Sequence, residues 1–379
     1  MYRLRILGFS TLLSYSCLLW ADTLWSTQPE NIWARHGFSF SGHIEPSYNY
    51  LSRSNHFTSG AHARVFDLEP QGFTLQQAAV TLAKQPVQGW GAVLNVILGR
   101  DANTLALAGI NPDYFGIQNL GLTPTQAYLQ YAFGAFKIVG GLFNCPMGAE
   151  TYNPTVDSNF SRSLLDGFAE PTNFIGLQGS YTVNAAWRVS ADINNGWGTI
   201  QYTGRPKTIE VSAAYTPHPD ASFTLTGISG IEPLRDRASS GPTGRRTALD
   251  GAGSMKVTER LTVVLNYDYG LQTKAALAQG QTGPAYWQGL AAYANYQWAD
   301  RWRSSLRGEV FTDRRGSRTG VWQTLKEVTL TLAYVPLKKL QLRVEARHDF
   351  SNVKSFVTRN GASANNNQQS FALEGLYQF

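Results

Sequence analysis

Between Phe38 and Tyr50 the even positions hold Phe38, Phe40, Gly42, Ile44, Pro46, Tyr48 and Tyr50, and the odd ones Ser39, Ser41, His43, Glu45, Ser47 and Asn49. A two-residue period of this kind belongs to a β-strand with one apolar and one polar face. It returns at Trp302, Leu306 and Val310 against Arg303, Arg307 and Glu309, and at Leu340, Leu342, Val344 and Ala346 against Gln341, Arg343, Glu345 and Arg347. Strands of soluble sandwiches usually run about five or six residues. These run longer, near the 9 to 11 or so that a tilted strand needs to cross a bilayer. One face then meets lipid and the other water.

Sixteen such strands are predicted, at about 38–51, 72–84, 88–101, 122–133, 135–146, 172–184, 186–197, 207–217, 221–233, 245–257, 260–272, 284–298, 300–313, 324–336, 338–350 and 369–379. Short turns (Gln85 to Val87, Gly134, Asn184-Ala185, Pro217 to Asp220, Thr258-Glu259, Ala299-Asp300, Pro336-Leu337) alternate with longer polar loops. That alternation, with an even strand count, describes a transmembrane antiparallel β-barrel with both termini and the short turns on the periplasmic side. Closure matters because an unpaired edge would strand backbone groups in lipid. A polytopic helical protein is excluded: beyond the N-terminus no apolar stretch approaches the roughly 20 residues of a spanning helix. Disorder is excluded by the 12% aromatic content and the low share of charge, 15%.

Arg3 and Arg5 precede an apolar run from Ile6 to Leu19, and Ala21 offers a small residue for cleavage, so residues 1–21 read as a secretory signal peptide rather than a buried helix. Cys17 lies inside that run in a poor context for lipidation. Losing Arg3 and Arg5 leaves 30 basic against 26 acidic residues, a net charge of +4, which argues against nucleic acid as a partner. Cys145 is then the one cysteine left, so neither an internal disulfide nor a cysteine zinc site is available. Residues 22–37, with Trp25 and Trp33, are too few for a domain and lead into the barrel, 38–379.

Trp90, Trp187, Trp298 and Trp302 fall beside short turns, where an indole keeps its ring in the interface and its N–H wet; this predicts a periplasmic girdle rather than core packing. The closing alternation Phe371, Leu373, Gly375, Tyr377, Phe379 resembles the C-terminal signature read by the barrel-assembly machinery. Pro46 argues the other way, since proline inside a strand is tolerated only at a bulge or an end.

From Tyr152 to Glu232 the chain carries, in order, Tyr152-Asn153-Pro154, Asn159-Phe160-Ser161-Arg162-Ser163, Pro171-Thr172, Gly176, Ser180-Tyr181-Thr182, Ile193-Asn194-Asn195-Gly196-Trp197, Lys207-Thr208 and Gly230-Ile231-Glu232. This order and spacing resembles the outer-membrane β-barrel porin family of the porin-2, OmpL-like type. In that family an acidic residue often follows the Asn-Gly-Trp; here Gly198 holds that place, so the role of that acid does not carry over. The resemblance implies a porin-like barrel of unassigned substrate.

The longest loop, 147–171, is the third long one. In sixteen-stranded general porins the third loop narrows the pore, and the same is expected here by analogy of fold. It carries Glu150, Asp157, Arg162, Asp166 and Glu170. Half a ring away, lumen-facing Arg303, Arg307, Arg343 and Arg347 interleave with Glu309, Glu327 and Glu345. The expectation is a constriction with the acidic loop facing a basic ladder across water, orienting dipolar solutes and setting ion preference. Ordinary paired wall residues are the competing account of the arginines, and Arg162 is expected to pin its loop by ion pairs.

The function expected is passive diffusion of small hydrophilic solutes or ions through a water-filled lumen, with no cofactor, no metal and no covalent chemistry. Partners are the solutes, outer-membrane lipid and the assembly machinery; likeness to general porins, which are often trimers, leaves a homo-oligomer open. A rival is an adhesion barrel acting through loops 52–71, 102–121 and 351–368. A second rival, an outer-membrane hydrolase, would need His43 or His56; the six histidines match no ligand or catalytic spacing.

Overall fold

A computed structural model of the chain describes residues 37–106, 120–198, 205–234 and 241–379. Residues 1–21, expected to be a leader, and the expected lead segment up to residue 36 lie outside the described residues, as does most of the 102–121 loop. The barrel strands are β1 (Ser39–Leu51), β2 (Gln71–Lys84), β3 (Gly89–Gly99), β4 (Gly121–Phe133), β5 (Phe136–Asn144), β6 (Asn173–Thr182), β7 (Trp187–Asn194), β8 (Thr208–His218), β9 (Ala221–Pro233) and β10 (Thr243–Lys256). They continue with β11 (Leu261–Ala276), β12 (Thr282–Ala299), β13 (Trp302–Arg314), β14 (Gln323–Leu337), β15 (Leu340–Ser351) and β18 (Asn367–Gln378). A two-stranded ribbon, β16 (Phe356–Val357) with β17 (Ala364–Asn365), decorates the last loop. Two short helices, α1 (Arg100–Leu105) and α2 (Leu164–Phe168), complete the elements used below.

Each barrel strand pairs antiparallel with its neighbours in sequence, and β18 closes on β1 to give one barrel of sixteen strands. All sixteen predicted strands are present. The third ends two residues earlier than expected because Gly99, at φ 130, turns the chain into α1. At the seam Gly42 N–H donates to the Phe379 carbonyl and Phe379 N–H to the Gly42 carbonyl, both at 2.9 Å. The terminal aromatic is therefore hydrogen-bonded into the wall. Pro46 is accommodated by a register shift between Glu45 and Pro46. Pro124, inside β4, likewise sits where the β3–β4 register slips between Asn95 and Val96.

The period of two sorts the strands into an outer and an inner face, breaking at adjacent buried pairs such as Gln76–Gln77 of β2 and Leu142–Phe143 of β5. On β14, Val328, Leu330 and Leu332 are exposed while Glu327, Thr329 and Thr331 between them are buried. Trp90, Trp187, Trp298 and Trp302 all face outward and are exposed, so they are not core residues. They extend into rows of touching rings near the short turns: Trp90 with Tyr131 at 4.9 Å, Trp187 with Tyr215 at 4.4 Å, Trp302 with Tyr334 at 4.6 Å. Such a row lies where apolar ring and polar edge are both satisfied.

Leu330 is the middle residue of β14 on the outer face. Leu330→Arg is expected to destabilise the barrel in a bilayer by about 2–4 kcal/mol, read from reversible denaturant unfolding; an Arg at the girdle position Tyr334 should cost much less.

Candidate functional site: a loop docked across the lumen

Counting half the ring from β5 and β6 leads to β13 and β14, and the 147–171 segment reaches that wall and sits on it. Arg307, fully buried, ties the two together: Nη1 meets Glu150 Oε1 at 2.7 Å and the Ser161 carbonyl at 2.6 Å, while Nε faces Glu327 at 2.8 Å and Glu309 at 3.1 Å. Arg343 pairs with Glu374 and donates to the carbonyls of Asp157 and Asn159 at 2.8 and 3.0 Å. Arg347 pairs with Asp349 at 2.7 Å and donates to the Arg162 carbonyl at 2.7 Å. In the other direction, Phe160 and Ser161 donate their N–H groups to Glu345 at 2.7 and 3.0 Å, Ser163 to Glu150 at 2.6 Å, and Leu164 to Glu309 at 2.8 Å.

A loop buried in a barrel must satisfy its backbone without strand partners. Here side-chain charges do so, with hydrogen bonds of the strong, charge-assisted kind. The Asn-Phe-Ser-Arg-Ser stretch that carried the family resemblance is the docking segment itself. Arg162 staples the loop from within, pairing with Asp157 at 3.0 Å and donating to the carbonyls of Thr151 and Phe160 at 2.7 and 2.8 Å.

The structure therefore brings Glu150, Asp157 and Arg162 together with Arg307, Arg343 and Arg347, but not across water as the sequence suggests. Glu150 touches Arg307 directly, while Arg343 and Arg347 pair with the wall acids Glu374 and Asp349 and meet the loop through its carbonyls, so no gap is left between loop and ladder. Arg303 lines a cavity of about 210 Å³ beside the loop, with Asp157, Tyr293, Ser305 and Thr331. A second cavity, about 140 Å³, lies between the loop and β7–β9, lined by Arg188, Ser190, Ser212, Thr224, Asp166 and Glu170.

The lumen is also less open than its strand count suggests. Leu165 and Phe168 of α2 enter an apolar cluster with Phe57 of the first loop, Phe311 of β13 and Phe356 of the last loop; Phe168 stacks on Phe311 at 5.9 Å. Gly289 admits Leu165, which any larger residue there would strike. From the first loop Arg64 reaches Asp349 at 2.7 Å and Asp67 at 2.5 Å.

Sequence reasoning missed the facing wall. Asp192, Glu210, Asp250 and Asp268 of β7, β8, β10 and β11 point inward and are buried, and Glu170 joins them from the returning end of the loop. None of the five forms an ion pair with a basic side chain among the described residues. Their strand parity was the available signal, since each shares the inward register. Burial, with the neighbouring acids, pushes the Glu170 carboxyl well above its ordinary value. The histidines are scattered: His43 meets Gln77 at 3.2 Å, and His56 lies over His62 at 4.6 Å.

A closed, apolar-sided barrel with a long loop folded into a charged lumen is the architecture of an outer-membrane porin. The sequence over residues 37–379 matches the family described as "Putative beta-barrel porin-2, OmpL-like", and the chain belongs to it. Family and fold together place it in the bacterial outer membrane. Among solved structures it is similar to the outer membrane channel DcaP of Acinetobacter baumannii, with TM-score 0.60 and 13% identity over 90% of this chain and 97% of that one. The anion-selective porin from Comamonas acidovorans gives 0.62 and 9% over 90% and 99%, and Pseudomonas putida OprB 0.58 and 10% over 91% and 95%. No curated protein matches the sequence.

Two outcomes follow. Arg307→Ala leaves Glu150, Glu309 and Glu327 without their shared cation and should cost about 3–5 kcal/mol, read as loss of unfolding stability and new protease cleavage within 147–171. Burial and the nearby Glu150 raise the Asp166 carboxyl from 3.8 to about 7. The folded protein thus holds that proton more tightly than the unfolded chain. Its contribution is fully present below about pH 4 and is lost as pH rises through about 7. Asp166→Asn should flatten that part of the stability–pH curve.

Proposed function

We propose that the protein is a passive diffusion porin whose aqueous path runs past the docked loop on the side of β6 to β11. The observation that carries this is the asymmetry of the lumen. On the β13–β15 side the ladder arginines are matched in contact, Arg307 by Glu150 of the loop and Arg343 and Arg347 by the wall acids Glu374 and Asp349; on the β7–β9 side a cavity lies beside the loop, and the buried carboxylates Asp192, Glu210, Asp250 and Asp268 form no ion pair with a basic side chain among the described residues. Field-setting groups in a narrow pore act on whatever ion passes, so the path prefers cations and cationic or zwitterionic solutes. Arg188 and Arg303, which line the two cavities, temper that preference.

This reading assigns no covalent chemistry. It takes residues 1–21 as a leader removed on export, Phe379 as the end read by the barrel-assembly machinery, and the apolar wall as lipid-facing. A homo-oligomer is part of the proposal, by analogy with the trimer form of Vibrio cholerae OmpT.

In a planar bilayer with a salt gradient, the refolded barrel should show stepwise currents with a reversal potential of cation-selective sign. Replacing Asp192 and Glu210 by Asn and Gln should reduce that potential, whereas Arg307→Lys should leave its sign unchanged. An anion-selective potential would overturn the preference. A folded but silent barrel would overturn the pore and favour the adhesion reading, in which Phe57, Phe168 and Phe356 hold the first, third and last loops together.

A further inference from the structure

Glu170, Asp250 and Asp268 come from three separate parts of the chain: the returning arm of the loop, β10 and β11. Each turns a carboxylate oxygen to a common point, and these oxygens all lie within 4.8 Å of one another. The three residues are 7%, 1% and 1% exposed, so the charge is held out of water. One oxygen of each, Glu170 Oε1, Asp250 Oδ1 and Asp268 Oδ1, has no hydrogen-bond partner. Nearby groups are otherwise committed. Asn266 donates to Asp250 Oδ2 at 2.7 Å and accepts the Ala149 N–H at 2.7 Å, which orients the Asp250 carboxylate and ties the loop to the wall. Gly148, at φ 92, passes directly beside Glu170, and any side chain there would run into the Glu170 carboxylate.

Three acids at this separation and burial cannot all stay ionised on their own: something positive, a proton or a metal ion, must stand among them. No basic side chain does so among the described residues. We propose that Glu170, Asp250 and Asp268 bind a divalent hard cation, of the calcium type, which pins the returning arm of the loop to the wall opposite the arginines. All-oxygen donors select a hard ion, and calcium–oxygen distances of about 2.3–2.6 Å allow ligands up to about 5 Å apart across the ion. Magnesium requires a tighter octahedron at about 2.0–2.1 Å and gives up its waters reluctantly. Water completes the shell from the adjoining cavity, which Glu170 also lines. The docked loop then hangs between two electrostatic anchors, guanidinium on one wall and a metal bridge on the other.

The site extends the charge asymmetry described above, but its test reads binding without current, so a silent barrel that binds calcium separates the two readings. The mature refolded barrel, stripped with chelator, is titrated with calcium chloride in a calorimeter, and thermal unfolding is followed with and without the ion. One saturable site is expected, with a rise in Tm. Glu170→Gln and Asp250→Asn should each weaken binding about tenfold or more, because affinity follows the number of charged ligands. Each should also raise the Tm of the chelator-treated protein by relieving repulsion, which a merely misfolded variant would not do. Magnesium should compete weakly. No binding to the folded wild type at millimolar calcium, or equal binding by the two variants, would overturn the site.

Discussion

In hydrocarbon a backbone N–H or C=O without a partner costs several kcal/mol, so a sheet crossing a membrane must have no edge. The pairing of β1 with β18, finished by the two Gly42–Phe379 hydrogen bonds, meets that condition. Much else follows from it. Closure fixes an even number of strands when both ends lie on one side, and sixteen strands enclose more space than their own inward side chains fill. The space must hold water or more protein. Here a single loop, one helical turn long at its tip, takes up a large share of it.

Bringing that loop inside creates a second backbone problem, solved with charge rather than with a ladder. Asn159 to Leu164 cannot pair as a strand, because no strand edge is available within a closed wall. Arginines of β13 and β15 reach its carbonyls and glutamates of the same wall reach its N–H groups, while Glu327 and Glu374 hold the guanidiniums in place. A buried ion pair is weak evidence of stability when hydrophobic packing could replace it. This network does something packing cannot: it supplies donors and acceptors at fixed points along one irregular stretch of chain. The apolar cluster around Leu165 and Phe168 adds burial energy without direction; the charges set the register.

The barrel was legible in the sequence because period two is a local property, repeated strand by strand, and lipid permits no compensation for breaking it. The girdle tryptophans and the number of strands followed from the same pattern. Pro46 looked contradictory only because a register shift cannot be read from one strand alone. The loop was legible in composition but not in position. Glu150 and Arg307 lie 157 residues apart, and nothing local distinguishes charges that face each other over water from charges in contact. Asp250 and Asp268 were passed over for a related reason. Each is a lone acid on an otherwise ordinary inward face, and their closeness to Glu170 exists only once β10, β11 and the returning loop are assembled.

That last point bears on how such barrels diverge. At 9% identity the Comamonas porin shares the scaffold over 90% of this chain, yet its anion selectivity cannot be transferred, since fold constrains the outer face and closure while leaving inward positions free. Every second residue of every strand is available for change at little cost to the lipid-facing half. What limits the change is burial: once a loop occupies the lumen, an inward charge must be paired, hydrated or bridged. On the β13–β15 wall Arg307, Arg343 and Arg347 each meet a carboxylate. On the β7–β11 wall Asp192, Glu210, Asp250 and Asp268, with Glu170 of the loop, meet no basic side chain among the described residues, and that imbalance, set by five carboxylates rather than by the fold, is where this barrel departs from a neutral, water-filled cylinder.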